Sequence, residues 1–239
     1  MSGRISYLGG IVKDGLILDL DAAKIQSYPR TGTLWNDISG NQNNGTLING
    51  PTFNSGNGGN IVFDGTNDNV NCGNIPTTNS MSISFWIKTT STGSLNAVIA
   101  KDFTGTARSY IALWRGAASG LRKLYFAVFH NSNATLSTFV ESPANIIDDG
   151  IWHHILVTFT GDTSTNGLKM FLDGSLVSQA TAASGTVWNT NANVTIGALS
   201  SGIDWNFSGN IAQTLMYNRA LTATEVLQNY NATRGRFGL

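Results

Sequence analysis

"SYIALWRGAASGLRKLYFAVFH", Ser109–His130, carries two apolar runs with a two-residue period. In the first, Ile111 and Leu113 alternate with Tyr110, Ala112 and Trp114. In the second, Leu124, Phe126 and Val128 alternate with Tyr125, Ala127 and Phe129. Side chains on a strand point alternately to its two faces, so both runs read as strands. The same period recurs on either side. In "MSISFWIKTT" (81–90), Met81, Ile83, Phe85 and Ile87 share a face. In "IWHHILVTFT" (151–160), His153, Ile155, Val157 and Phe159 do so. "GLILDLDA" (15–22) sets Leu16, Leu18 and Leu20 against Ile17, Asp19 and Asp21. "LKMFLDGSLVSQ" (168–179) places Asp173-Gly174 between two runs, a two-residue hairpin signal. "NIVFDG" (60–65), "NVTIGAL" (193–199) and "NIAQTLMYN" (210–218) add further strands. One helix is expected, "LTATEVLQNYNATRG" (221–235). Thr222 stands three residues before Glu225 in capping-box spacing, Gly235 follows the end, and Val226, Leu227 and Tyr230 supply a docking side.

Many short strands, frequent turn residues and one terminal helix predict an all-β fold, an antiparallel β-sandwich or jelly roll with one short C-terminal helix. The chain has 239 residues, 41% hydrophobic, long enough for one large domain. The expected organisation is an N-terminal arm over 1–12, a possible attachment segment. A domain over 13–232 and a solvated tail over 233–239 follow it. Only 12% of residues are charged, against about 25% in an average domain. Lys plus Arg and Asp plus Glu number 14 each, so nothing suggests a nucleic-acid partner. Cys72 is the single cysteine, which excludes an intramolecular disulfide. No apolar run reaches the 18 or so residues of a membrane helix, and Lys13 and Asp14 interrupt the start before a signal peptide can form. The expectation is a protein made in a cytoplasm.

Five landmarks resemble the laminin-G-like domains of the concanavalin A-like lectin/glucanase superfamily. They are "WNDISGNQNNGTL" (35–47), "FDGTNDNV" (63–70), "SFW" (84–86), "WHH" (152–154) with "FLDG" (171–174), and "FSGNIAQTLMYNRAL" (207–221). Residues 27–59 are also similar to versions of this domain in bacteriophage virion proteins. That resemblance implies a non-enzymatic structural protein of a capsid or tail, assembled in the host cytoplasm and placed at the virion surface. Its partners would be other virion proteins, copies of itself in a homo-oligomer, and host glycans. A free calcium-dependent lectin is the alternative, and a polysaccharide hydrolase a third. Many members carry Gly-x-Ile-Asp-Glu where this chain has Gly209-Asn210-Ile211-Ala212-Gln213.

Three sets of side chains are candidates. Trp86, Tyr110, Trp114 and Tyr125 lie opposite the aliphatic faces of their strands and would stack on sugar rings, with Lys88, Arg115 and His154 as hydrogen-bonding partners. The competing reading makes that face a second layer of core. Asp37, Asn41 and Asn43, joined by Asp64 and Asp68, offer oxygens to calcium, or are turn residues with no ion. His153 and His154 are adjacent on a strand and face opposite sides, so they are expected to pack rather than to chelate one ion. For catalysis, Glu141 falls before Ser-Pro, Glu225 fits a helix cap, and Asp19 and Asp21 lie at the end of a strand. No pair of acids suits glycoside hydrolysis.

Overall fold

The computed structural model describes residues 9–103, 107–199 and 204–239. In chain order the strands are β1 Leu16–Asp21, β2 Leu34–Trp35, β3 Gly45–Ile48, β4 Thr52–Asn54, β5 Asn60–Asp64, β6 Asn69–Asn71, β7 Met81–Lys88 and β8 Asn96–Phe103. They continue as β9 Ala107–Arg115, β10 Lys123–Phe129, β11 Ser137–Glu141, β12 His153–Phe159, β13 Leu168–Leu172, β14 Ser175–Ala180, β15 Val194–Ile196 and β16 Ser208–Tyr217. One α-helix, α1 Ala223–Thr233, follows. The strands form two antiparallel sheets. The first runs β14-β13-β12-β7-β16-β5-β4, with β1 also on β16; the second runs β11-β10-β9-β8-β15-β6-β3-β2. The expected sandwich with a short C-terminal helix is therefore what the chain forms.

β16 organises the first sheet. One edge pairs with β7, while the other pairs with β5 over Ser208–Ile211 and with β1 over Gln213–Tyr217. The changeover falls at Ala212, where the β7 register shifts and the Ala212 carbonyl accepts from the Ala22 amide. Two glycines make this packing possible. Gly174, at φ 79°, completes the β13–β14 turn after Asp173 at φ 49°. A Cβ on Gly197 would strike the ring of Phe63, which packs edge-on against Phe207 in the core.

Between the sheets lies one large core. It takes Met81, Ile83, Phe85 and Ile87 of β7, Ile155, Val157 and Phe159 of β12, and Leu124, Phe126 and Val128 of β10, all on the expected faces. β9 is the exception. Its inward residues are Tyr110, Ala112 and Trp114, and its aliphatic Ile111 and Leu113 face outward into a smaller cluster. Trp114 is fully buried and donates from Nε1 to the Ser91 carbonyl at 3.0 Å. Trp35 and Leu47 also enter the large core and pin the two ends of the Asn-rich loop between them. The short strands β2, β3, β4 and β6, and the longer β8 and β11, are not among those expected from the sequence; β8 has its inward Val98 and Ile99 side by side, across a register shift that breaks the two-residue period.

α1 begins with the expected capping box between Thr222 and Glu225. Glu225 also binds Arg219 at 2.6 Å, and that hydrogen bond holds its carboxyl down to about 2. Of the expected docking residues, Val226 and Tyr230 pack onto the domain, Tyr230 stacking on Trp86, and Leu227 does not. Val226 and Asn229 are buried while Leu227 is exposed. Asn229 is the reason: its Oδ1 accepts from the Val12 amide at 2.8 Å and its Nδ2 donates to the Tyr217 hydroxyl at 3.0 Å, fixing the helix rotation. The chain then tightens into a 3₁₀ turn, Arg234–Phe237. The left-handed glycine that ends it is Gly238, not Gly235.

Nor are residues 233–239 a solvated tail. Phe237 is buried, and Arg236 binds Asp21 at 2.7 Å and donates to the carbonyls of Asn57 and Gly59. Arg234 lies over the Tyr230 ring. At the other terminus, residues 9–12 of the expected arm reach the domain through Val12, whose carbonyl accepts from the Tyr217 hydroxyl. Residues 1–8 lie outside the described residues.

Trp114→Ala is expected to cost about 3–5 kcal/mol in urea unfolding, the range for removing a fully buried tryptophan. Phe139→Ala, on a half-exposed ring, should stay within about 0.5 kcal/mol of wild type. Equal losses at the two sites would contradict the faces described above.

Candidate glycan-binding surface

The structure divides the expected sugar face among three places. Tyr110 and Trp114 belong to the core between the sheets, a correction that follows from the inverted β9. Trp86 and His154 are on the outer face of the first sheet but covered. Trp86 is 1% exposed, stacks on Phe237 with ring centroids 4.1 Å apart, and donates from Nε1 to Thr233 at 2.9 Å. His154 lies 5.1 Å from the Trp86 ring and bonds Ser84 through Nε2 at 2.8 Å. Burial brings its pKa down to about 4, so it stays neutral. Lys88 is nearby, with its ammonium 5.6 Å from the centre of the Trp152 ring. Tyr125 and Arg115 are the candidates that remain together at the surface.

They lie on the outer face of the second sheet, near its β11 edge. Register explains their company. Tyr125 pairs with Glu141 and Ala127 with Phe139 across β10–β11, and Lys123 pairs with Arg115 across β9–β10. Cross-strand neighbours of this kind touch on one face. The rings of Tyr125 and Phe139 stack at 5.3 Å, and the Arg115 guanidinium lies 5.0 Å from the centre of the Tyr125 ring. Glu141 accepts from Arg115 at 2.7 Å and from Lys123 at 3.3 Å. Two cations thus share one carboxylate, leaving a local positive excess. Phe139 is 51% exposed and Tyr125 is half-buried. Further along the same face, Arg108 binds Asp102 at 2.8 Å and lies over the rings of Phe129 and Trp205. Periodicity does not mark the five-residue strand 137–141, so Phe139 and Glu141 are absent from the expected sugar face.

The proposed cation ligands have other work. Asp37 Oδ1 accepts from the amides of Asp19 and Ser39, and Oδ2 from the Ser39 hydroxyl and the Asn43 amide. Asn41 and Asn43 donate their Nδ2 groups to the Leu16 and Ile17 carbonyls. The loop is stitched to β1, and its acid is saturated with donors. Asp68 accepts from the Asp64 amide and Asp64 from the Thr66 amide, which is turn chemistry. Among the described residues, no group of three or more His, Cys, Asp or Glu is arranged to hold a metal ion. His153 and His154 do face opposite sides. His153 is held between two carboxylates, Asp173 at 2.8 Å and Asp149 at 3.2 Å.

A family model described as the Concanavalin A-like lectin/glucanases superfamily matches residues 63–227. The chain belongs to this superfamily. No curated protein matches it in sequence. Among solved structures of similar fold is the binding domain of Paraclostridial Mosquitocidal Protein 1. Its TM-score is 0.70 and its identity 16%, over 92% of this chain and 52% of that one. The binding domain of Botulinum Neurotoxin DC, solved in complex with SialylT, gives 0.67 and 14% over 93% and 52%. The Botulinum neurotoxin serotype D ligand binding domain, solved in complex with N-acetylneuraminic acid, gives 0.65 and 15% over 92% and 51%. The chain spans about half the length of each, and at these identities the likeness is one of fold.

The superfamily's acidic pair has a visible substitute here. Ala212 is buried, and Gln213 Nε2 reaches Asp19 Oδ1 at 3.4 Å. Asp19 and Asp21, expected on a polar face, are both buried. Lys13 and Lys24 stand 3.6 and 3.8 Å from Asp19 Oδ2, and Arg236 takes Asp21. Burial raises the Asp19 pKa and the two lysines oppose that rise.

His153 generates a pH prediction. Burial lowers its pKa, the hydrogen bonds and charges of Asp173 and Asp149 raise it, and the net shift is upward from 6.5. A raised folded value means the bridge stabilises fully below about pH 6.5 and fades as pH climbs through the folded pKa. The urea midpoint of wild type should therefore exceed that of His153→Gln at pH 6 by more than at pH 8.5. A constant gap would show that the imidazolium plays no part.

Proposed function

We propose that this chain is a non-enzymatic glycan-adhesion module, and that the Arg115–Tyr125–Phe139 cluster receives an acidic sugar. The observation that carries the reading is an exposed aromatic ring, Phe139, stacked on Tyr125, whose ring in turn meets the Arg115 guanidinium, on a face with a positive excess. A planar guanidinium matches a carboxylate with two parallel hydrogen bonds. The C–H face of a sugar packs on Phe139 while its carboxylate meets Arg115. Two superfamily neighbours solved with SialylT and with N-acetylneuraminic acid support this class of ligand. The binding role, rather than hydrolysis, is supported by how the acids are employed. Asp19 and Asp21 are held by lysines and Arg236, Glu141 by Arg115 and Lys123, and Glu225 by the helix cap and Arg219.

The wider setting we propose is the surface of a bacteriophage virion. The resemblance of residues 27–59 to phage virion domains supports it. Residues 1–8, ahead of the Val12 anchor, would attach the domain to a capsid or tail protein. Edge strands β11 and β14 would meet copies of the chain, since open sheet edges invite pairing.

Binding of α2,3-sialyllactose, followed by calorimetry, is expected for wild type and should weaken at least tenfold in Arg115→Ala and in Phe139→Ala. EDTA should leave it unchanged. Silence toward sialylated glycans would overturn the acidic-sugar reading, and chelator sensitivity would favour a calcium lectin. Deleting residues 1–8 should abolish incorporation into particles while preserving the fold; normal incorporation would remove that attachment role.

A further inference from the structure

A second surface lies at the other end of β9. Arg115 ends that strand and Ala107 begins it, roughly 26 Å away at 3.3 Å per residue. There the segment 187–193 is fastened by its backbone. The amide of Val187 donates to Asn79, that of Trp188 to the Phe129 carbonyl at 2.7 Å, and that of Thr190 to Ser109. Val187, Thr190 and Ala192 are buried, while Trp188, Asn189 and Asn191 are exposed. The segment is thus rigid in its inward residues and presents a tryptophan, 38% exposed, among amides. Trp188, Asn189 and Asn191 edge one cleft of about 330 Å³. Another, of about 630 Å³, is walled by Gln42, Asn43, Asn44, Asn71, Asn74 and Asn193. No charged side chain lines either cleft among the described residues.

A buried lysine joins the two. Lys101 is fully buried, and among the described residues its ammonium contacts only neutral oxygens: Asn74 Oδ1 at 2.9 Å, the Ile75 carbonyl at 2.5 Å and Asn189 Oδ1 at 3.4 Å. Asn74 belongs to the larger cleft and Asn189 to the smaller, so one buried nitrogen ties a wall of each to the other. A cation buried without a carboxylate is costly. Here it fixes two amide oxygens inward, and among the described residues neither Nδ2 has an acceptor. The same orientation recurs along the wall. Asn44 Oδ1 accepts from the Asp37 amide and Asn71 Oδ1 from the Gly73 amide, each leaving its Nδ2 free to donate. Asn43 is turned the other way, with Nδ2 used and Oδ1 left to accept.

We infer that these two clefts, their walls linked through Lys101, form a second carbohydrate site, one for a neutral oligosaccharide. Four oriented amide donors and one acceptor suit hydroxyl, ring and acetamido oxygens. The Trp188 ring supplies the stacking surface, and the lack of lining charge gives an ionic ligand no counter-ion. The volumes fall within the range of small-ligand pockets. Since the amides are held before any ligand arrives, little ordering remains to oppose binding. Lys101 is a positioning residue: it sets Asn74 and Asn189 and touches no sugar. Burial lowers its pKa to about 8. The titratable groups packed around it are Tyr110, its register partner on β9, and Cys72 beyond it. Burial pushes both upward, Cys72 to about 12, so they stay neutral while Lys101 titrates. Asp102 is bound to Arg108 on the opposite face.

Calorimetry with chitohexaose and laminarihexaose tests the site. Wild type should bind at least one of them. Trp188→Ala should weaken that binding at least tenfold, with Asn191→Ala as a second variant whose exposed side chain leaves the fold intact. Arg115→Ala should leave it unchanged, which separates this site from the acidic-sugar surface. Affinity in wild type should fall as pH rises from 7 to 9.5. No binding of either hexamer, or binding indifferent to both Trp188→Ala and Asn191→Ala, would overturn the site. A flat pH profile would overturn the part assigned to Lys101.

Discussion

A two-sheet sandwich has one shared interior, and each strand can give it only alternate side chains. That parity governs this molecule. Once β7, β10 and β12 commit Phe85, Phe126 and Ile155 inward, their neighbours must point out. The outer face of the first sheet then carries Trp86 and His154, and that of the second carries Tyr125, Phe139 and Arg115. What becomes of those outward residues depends on what else the chain lays over them.

Over the first sheet the chain lays its own C-terminus. α1 and the 3₁₀ turn after it bring Tyr230 and Phe237 onto Trp86, and Arg236 onto Asp21. Two carboxylates on the inner stretch of β1 would be expensive to bury alone. Lys24, Lys13, Arg236 and Gln213 offset that cost from three directions. The consequence for function is exclusion: a tryptophan stacked against the molecule's own phenylalanine is not available to a sugar. The second sheet receives no such helix, and its Tyr125–Phe139 edge stays in contact with water.

Much of this architecture was legible in sequence, because the long strands β1, β7, β9, β10 and β12 alternate and one helix has its cap. The parity of β9 was not. Both of its faces are apolar, Ile111 and Leu113 on one side and Tyr110, Ala112 and Trp114 on the other, so periodicity gives the strand but not its orientation. Chemistry favours the larger aromatic face for the gap between sheets, where it contributes more buried area. β11 escaped notice because "STFVE" is short and its two outward residues, Phe139 and Glu141, read as incidental. Trp188 sits in no strand and no helix, so no pattern marked it. The burial of Val187, Thr190 and Ala192 around it and the backbone hydrogen bonds of Val187, Trp188 and Thr190 show that its segment is fixed. Conversely, the opposed faces of His153 and His154 followed from adjacency alone.

The same residue type explains both the turns and the proposed neutral-sugar site. An asparagine side chain has a donor end and an acceptor end, and the backbone needs only one of them. In the loop after Trp35, Asn41 and Asn43 give their donor ends to β1. Asn44 and Asn71 give their acceptor ends to nearby amides, and Asn74 and Asn189 give theirs to Lys101. Structure consumes half of each amide and holds the other half at a fixed angle. A chain with 12% charged residues can in this way line its clefts with rigid polar groups and still place few ions at its surface. On the outer face of the second sheet the charge is concentrated at one point, where Arg115 and Lys123 share the carboxylate of Glu141.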